Sequence, residues 1–202
     1  MENSTVFVVE DFQPLRHSLV QTLKRANIRC ESFECANDFI NAFDANRQGC
    51  LVLDLQLPEM TGLELHSLLM ERGCRTPFLI MSGYGNIVDA TNAMRVGALD
   101  FLQKPFPPGL LLDRIHEAFR KDSMQREKWI QQEETRNRLA TLTDREQVVL
   151  NLILDGQLTK QIAKQLDLSV KTVESHRSHI AKKLGVDSAI QLVMMVTAFR
   201  AA

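Results

Sequence analysis

LVLDLQLPEMTG, residues 51 to 62, opens with an apolar run that stops at the carboxylate of Asp54. Aliphatic residues without polar alternation suit a strand covered on both faces, as in a parallel sheet. Asp54 then stands at the C-terminal end of that strand. Pro58 and Gly62 mark a turn before the amphipathic segment ELHSLLMERG, so the local unit reads strand, loop, helix. Open α/β sheets hold their ligands at this edge.

The same alternation extends in both directions. Apolar runs at 6 to 9, 28 to 33, 77 to 81 and 99 to 102 precede helix-period segments at 14 to 26, 36 to 45, 86 to 96 and 108 to 120. The helix after the Asp54 strand spans 63 to 72. Five βα repeats predict an α/β domain over residues 1 to 122, a doubly wound five-stranded parallel sheet. Right-handed crossovers put every strand C-terminus on one edge. The first run ends in Glu10 and Asp11, the third in Asp54, the fourth in Ser82 and Gly83, and the fifth in Lys104 and Pro105. Three carboxylates, a hydroxyl and an ammonium therefore converge from distant parts of the chain. Carboxylates about 5 Å apart repel by roughly 3 kcal/mol per pair at an effective dielectric near 20. Such a cluster needs a cation or raised pKa values. An all-oxygen site with no His or Cys nearby suits a hard ion such as Mg²⁺.

At 202 residues the chain has room for two small domains. Its 45% hydrophobic and 24% charged content argues against both disorder and a membrane protein. No apolar run approaches about 18 residues and no basic, apolar-cored leader follows Met1, so a cytoplasmic protein is expected. Cys30, Cys35, Cys50 and Cys74 lack CxxC spacing, and reduced thiols are expected rather than disulfides or a zinc site. The formal charge of −1 hides an asymmetry. Residues 1 to 122 hold 12 Lys+Arg against 16 Asp+Glu, or −4, and residues 139 to 202 hold 8 against 6, or +2. The positive end is permissive for nucleic acid without being diagnostic.

After Gly109 the chain runs to Leu139 without Gly or Pro, which predicts a helical linker over residues 123 to 138, continuous with the helix before it. Trp129 lies there beside Ile130. It is expected to pack on one of its own domains, with a dimer contact or a docking anchor as the other readings. Residues 139 to 202 read as a second, smaller all-α domain. Thr143 and Glu146 form a capping box, and Gly156 closes that helix. The helix TKQIAKQL, the turn DLS at 167 to 169 with Ser169 as N-cap, and the longer helix VKTVESHRSHIAKKL complete a helix-turn-helix layout. Val170, Val173, Ile180 and Leu184 form a stripe expected to pack on Leu150, Ile153, Ile162 and Leu166. The other face carries Lys171, Thr172, Glu174, Ser175, Arg177, Ser178, Lys182 and Lys183, with His176 and His179 at its borders. A polar, basic-ended helix of this kind suits a major groove, and a metal pair at the two histidines is not expected.

The acidic pair at Glu10 and Asp11, the segment LxLDLQLPxMxG, the hydroxyl in MSG, and DFLQKPF after Gly97 and Ala98 match a known set in order and spacing. Through them about the first 120 residues resemble the receiver domains of two-component response regulators, whose fold is flavodoxin-like. The resemblance implies that Asp54 accepts a phosphoryl group from a phosphohistidine on a partner sensor histidine kinase. It implies that Asp11, Asp54 and the Gln56 carbonyl bind Mg²⁺, that Glu10 acts through water, and that Lys104 pairs with the phosphate. Ser82 would bond the phosphoryl oxygens and draw its loop inward, with Phe101 following as the switch aromatic. Phosphoryl transfer asks for these groups: a carboxylate nucleophile and positive charge on the equatorial oxygens. Glu10 stands where that family more usually has Asp, Ser82 where Thr is common, and Phe12 where a third acid often appears.

LTDREQVVL, TKQIAKQL and SVKTVESHRSHIAKKLGV resemble the LuxR-type helix-turn-helix domain. Receiver and LuxR-type tail together are similar to the FixJ/NarL subfamily of response regulators. That resemblance makes residues 170 to 184 the recognition helix. Glu174, Ser175 and Ser178 would approach the bases of double-stranded promoter DNA, with Lys160, Lys171, Thr172, Arg177 and Lys182 on its phosphates. It implies a phosphorylation-dependent transcriptional regulator rather than an enzyme, which forms a homodimer when phosphorylated through segments 86 to 96, 99 to 103 and 109 to 120. It also leaves RNA polymerase as a partner. A phosphatase using Asp54 is disfavoured because Asp54-Leu55-Gln56 lacks a second acid two residues on. The alternative is a DNA-binding regulator whose receiver is a docking surface insensitive to phosphorylation.

Overall fold

The computed structural model describes residues 4–83 and 87–200, and the chain divides into two units, residues 1–126 and 127–202. In the first unit β1 (Thr5–Val9), β2 (Arg29–Phe33), β3 (Gly49–Asp54), β4 (Phe78–Ser82) and β5 (Asp100–Gln103) alternate with five helices. These are α1 (Gln13–Arg25), α2 (Ala36–Ala42), α3 (Gly62–Glu71), α4 (Ile87–Arg95) and α5 (Pro108–Ala140). Among the described residues the strands make one parallel sheet in the order β2-β1-β3-β4-β5, the expected doubly wound class.

Burial explains the sequence pattern. β1, β3 and β4 are buried along their whole length and carry no polar alternation, whereas the edge strand β2 is largely open. Successive side chains point to opposite faces. Phe7, Val9, Leu51, Leu53 and Ile80 pack with Phe39, Leu65 and Leu69 on one side. Val6, Val8, Val52, Leu79 and Met81 meet Leu19, Leu23, Leu111 and Ile115 on the other. The strand order reverses between β1 and β3, and their C-terminal ends bound the crevice this creates. The helix expected over 36 to 45 stops at Ala42 instead, because Phe43 turns extended and sets its ring edge-on against Phe39. Asn86, at the start of the expected helix 86 to 96, lies outside the described residues.

Each end of β3 is fixed by a close approach. At its start Gly49 has φ +154°, and a Cβ there would stand 1.8 Å from the Thr5 carbonyl oxygen. The Gly49 N–H donates to Asp122 Oδ2 at 3.0 Å. Asp122, on α5 and 3% exposed, accepts from Arg126 Nε at 3.0 and 3.1 Å. Arg126 also donates to the carbonyls of Asn46, at 3.2 Å, and Arg47. Burial raises the Asp122 carboxyl above its usual range, opposed by Arg126 and the Gly49 amide. Past the far end, a Cβ on Gly62 would lie 2.3 Å from the Asp54 carbonyl oxygen. Thr61 and Glu64 start α3 there with a capping box.

His66 on α3 is buried, its ring stacked on Phe78 with centroids 3.6 Å apart. Burial pushes its pKa from 6.5 down to about 4. The folded value lies below the unfolded one, so folding favours the neutral ring. That contribution is complete above pH 6.5 and is lost as the pH falls toward 4. Denaturant unfolding at pH 7 and pH 4.5 should show His66→Phe losing about 2 kcal/mol less stability on acidification than the parent chain. Equal losses would exclude His66 as a source of acid sensitivity.

In the second unit α5 continues to Ala140, followed by α6 (Asp144–Leu154), α7 (Thr159–Leu166), α8 (Val170–Leu184) and α9 (Ala189–Arg200). The Thr143–Glu146 capping box forms, and Ser169 Oγ accepts from the Thr172 N–H at 3.0 Å. Leu150, Ile153, Ile162, Val173, Ile180 and Leu184 share one core, with Leu166 packed at its edge. Val170 departs from the expected stripe. It is 40% exposed, because first-turn side chains lean back toward the helix start and so past the layer made by α6 and α7. Helix α9 adds Leu192 and Val196 to the core, and its near-continuous apolar sequence gave no periodicity to read. At its start the Gln191 N–H donates to Ser188 Oγ at 3.2 Å. Trp129 keeps 42% of its surface exposed. All four cysteines are free. Among the described residues no helix is long and apolar enough to cross a membrane.

Candidate functional site

β1 delivers Glu10 and Asp11 immediately past its end, and β3 delivers Asp54 as its last residue. One carboxylate oxygen from each of the three lies within 4.8 Å of the others. Lys104, one residue past β5, places Nζ 2.6 Å from Glu10 Oε2 and 2.9 Å from Asp54 Oδ2. Its backbone N–H donates to the Ser82 carbonyl at 2.8 Å, which ties the ends of β4 and β5 together, and the peptide to Pro105 is cis. Asp54 Oδ1 accepts from the Gln56 N–H at 3.3 Å, and Glu10 Oε1 from the Phe12 N–H at 3.3 Å. Gln56 itself forms an isolated bridge with Thr61. Glu10 is 1% exposed; burial raises its carboxyl above the usual range and the Asp54 charge adds to this, while Lys104 opposes both. Asp11 is the most open of the three acids.

Ser82 is fully buried, and its hydroxyl has no hydrogen-bond partner among the described residues. Phe101 is half-buried against the core on the α2 and α3 side. The donor set fits a hard divalent cation such as Mg²⁺: three carboxylates face one ammonium, and among the described residues every donor in the cluster is oxygen, with no thiolate or imidazole. A buried hydroxyl without a partner fits an arriving oxyanion, since such groups otherwise cost about 1–3 kcal/mol.

Two further residues shape this pocket. Arg16 Nη1 donates to the carbonyls of Glu10 at 2.7 Å and Asp11 at 2.8 Å, while its Nη2 pairs with Glu34 at 3.0 Å. Gly62 is the other, through its approach to the Asp54 backbone. Arg16 is not singled out by spacing or periodicity, and Gly62 reads in the sequence only as a turn residue; the contact each makes with backbone carbonyls appears only in the fold.

On α8, Lys171, Thr172, Glu174, Ser175, Ser178 and Lys182 are exposed, as is Lys160 on α7, whereas Arg177 is half-buried. Arg177 and Ser178 line a crevice shared with Ser188 and Leu192. The Thr172 hydroxyl is engaged with Ser169 Oγ at 2.8 Å. Lys183, expected on the open face, is instead drawn inward: its Nζ meets Glu146 Oε2 at 2.6 Å and the Thr141 carbonyl at 3.0 Å. The Lys183 hydrogen bond, with the Thr143 amide, brings the Glu146 carboxyl down to about 2.

Residues 6–116 match the family described as the response regulator receiver domain, and residues 140–196 match the bacterial regulatory proteins of the luxR family. The chain belongs to the response regulators. The regulator is 38% identical over 193 residues to the transcriptional regulatory protein TdiR of Thauera aromatica, covering 96% of this chain and 85% of the relative. It is 33% identical over 198 residues to the transcriptional regulatory protein FixJ of Rhizobium meliloti, covering 98% and 97%. Among solved structures it is similar to the response regulator StyR, with a TM-score of 0.89, 36% identity and coverage of 97% and 99%. Full-length FixJ from B. japonicum is similar at a TM-score of 0.60 and 30% identity, over 98% of each chain. The regulator thus joins a receiver to a LuxR-type helix-turn-helix and acts in transcription.

Proposed function

We propose that the regulator converts phosphorylation of Asp54 into promoter binding. The observation that carries this reading is the meeting of Asp54, two further acids and Lys104 at one sheet edge, where the buried Ser82 hydroxyl has no partner among the described residues. A carboxylate oxygen of Asp54 attacks the phosphorus of a kinase phosphohistidine, the P–N bond breaks, and the imidazole leaves. Asp11, Asp54 and the Gln56 carbonyl would hold Mg²⁺, with Glu10 beside them. The ion supplies positive charge that neutralises the acids and the phosphoryl oxygens. Lys104 adds a further positive charge, and Ser82 donates to a phosphoryl oxygen. Phe101 then moves inward with the shifted loop, a two-state response to a local charge.

The receiver would span residues 1 to 122, the helical linker 123 to 138 and the DNA-binding domain 139 to 202, in a cytoplasmic protein. Ile87, Val88, Met94, Val96 and Leu110 leave apolar surface open on and around α4 and at the start of α5, which supports a homodimer through α4, β5 and α5. On α8, Glu174, Ser175 and Ser178 would approach bases, and Lys171, Thr172, Arg177, Lys182 and Lys160 phosphates, with RNA polymerase recruited at the promoter.

Phosphodonor plus Mg²⁺ should move wild-type protein from monomer to dimer mass and tighten binding to its promoter fragment about tenfold or more. Asp54→Asn should show neither change. Equal affinity with and without phosphorylation would favour a receiver that serves only as a docking surface.

A further inference from the structure

We infer that Glu10 is a positioning residue for Lys104, holding the ammonium at the pocket by reach, rather than a water-mediated ligand of the cation. The inference rests on the reading of Asp54 as phosphoacceptor. Lys104 bridges two carboxylates and lies nearer to Glu10, at 2.6 Å, than to Asp54, at 2.9 Å. Both oxygens of Asp54 are therefore engaged, one by Lys104 and one by the Gln56 amide. Once a phosphoryl group forms on Asp54, the ammonium loses one of its two carboxylate partners. At that moment Lys104, on a flexible four-carbon stem, needs a second anchor if it is to remain beside the phosphoryl group.

Glu10 is that anchor. Its side chain is 1% exposed, so water does not replace Lys104 there, and an isolated carboxylate at that depth is strongly disfavoured. The backbone that carries it is already fixed, because Arg16 holds the Glu10 and Asp11 carbonyls at 2.7 and 2.8 Å. With the backbone clamped, side-chain length decides whether Lys104 is met. An aspartate here would fall short by one carbon–carbon bond, about 1.5 Å. Asp11 makes no side-chain hydrogen bond or ion pair with Lys104, so of the two acids past β1 it is Glu10 that holds the lysine.

The test uses the full-length protein with Glu10→Asp, which keeps the charge and loses the reach, and Glu10→Gln, which keeps the reach and an acceptor oxygen. In metal-free protein, proton–nitrogen correlation spectra should show a protected Lys104 ammonium resonance, identified by its absence from Lys104→Ala, and Glu10→Asp should lose it. At saturating Mg²⁺, labelling of Asp54 by acetyl phosphate should slow about tenfold in Glu10→Asp and less in Glu10→Gln, with the half-saturating Mg²⁺ concentration of Glu10→Asp unchanged. A metal-ligand role predicts the reverse order of the two variants and a rate that extra Mg²⁺ restores. Either of those results, or a Lys104 resonance that persists in Glu10→Asp, would overturn the inference. If wild type takes no label on Asp54, the phosphoacceptor reading fails, and the metal-free spectra still decide whether Glu10 holds Lys104.

Discussion

Gly62→Ala should destabilise the receiver by about 3 kcal/mol and slow labelling of Asp54 by roughly a hundredfold. The new methyl would stand 2.3 Å from the Asp54 carbonyl oxygen and 3.3 Å from Leu53 Cβ, so the end of β3 or the start of α3 must move. α3 is pinned by the Thr61–Glu64 capping box and by the buried Leu65, His66 and Leu69. The displacement therefore falls on Asp54, whose Oδ2 must stay 2.9 Å from Lys104 to keep its present geometry. Gly109→Ala is the control: a methyl there meets nothing within 4 Å, and in a helix it should be neutral or stabilising by about 0.5–1 kcal/mol. Urea unfolding and a labelling time course check both variants. A Gly62→Ala protein that labels at the parental rate would show that the strand end is free to shift without moving its carboxylate.

Arg126→Ala should cost about 3–5 kcal/mol, more than any surface ion pair of this chain. The substitution strips the guanidinium from an Asp122 carboxylate that is 3% exposed in the parent chain, leaving the Gly49 amide as its partner among the described residues, and it releases the Asn46 and Arg47 carbonyls. Burial already raises the Asp122 carboxyl against the opposing pull of Arg126, so loss of the guanidinium should raise it further. The double variant Asp122→Leu with Arg126→Met should recover most of the loss, because removing both charges removes the penalty of stranding one. Thermal and chemical denaturation of the two variants decide the matter, and a loss below about 1 kcal/mol in Arg126→Ala would show the pair to be solvated.

These two predictions also mark where the sequence was readable. Glu10, Asp11, Asp54, Ser82 and Lys104 could be picked out because each follows an apolar run, and a parallel sheet carries all such positions to one edge. That argument needs only period and chain order. Gly62 was legible as a turn residue, but its approach to the Asp54 backbone 8 positions away, like the grip of Arg16 on the Glu10 carbonyl 6 positions away, is a main-chain contact that no side-chain pattern records. Asp122 and Arg126 sit in a polar stretch of α5 where most charges are solvated, and what distinguishes them is the loop before β3 closing over them. In the second unit the Thr143–Glu146 capping box and the Ser169 N-cap were legible because they are local. The inward turn of Lys183 to Glu146 joins residues 37 apart and was not, and Val170 was misplaced because a stripe on a helical wheel does not say where the opposing layer ends.

The clamp that Arg16 places on the first two acids has a mechanical corollary. One wall of the crevice is rigid before any phosphate arrives, since its main chain is already bonded to a guanidinium anchored on Glu34. The opposite wall, where β4 and β5 end, holds the Ser82 hydroxyl, unpartnered among the described residues, and the lysine shared between two acids. Restraint is thus unequal across the cleft. On the proposed reading one side would serve as an anvil, and phosphorylation would channel displacement into the other, toward Phe101 and the surface beyond it.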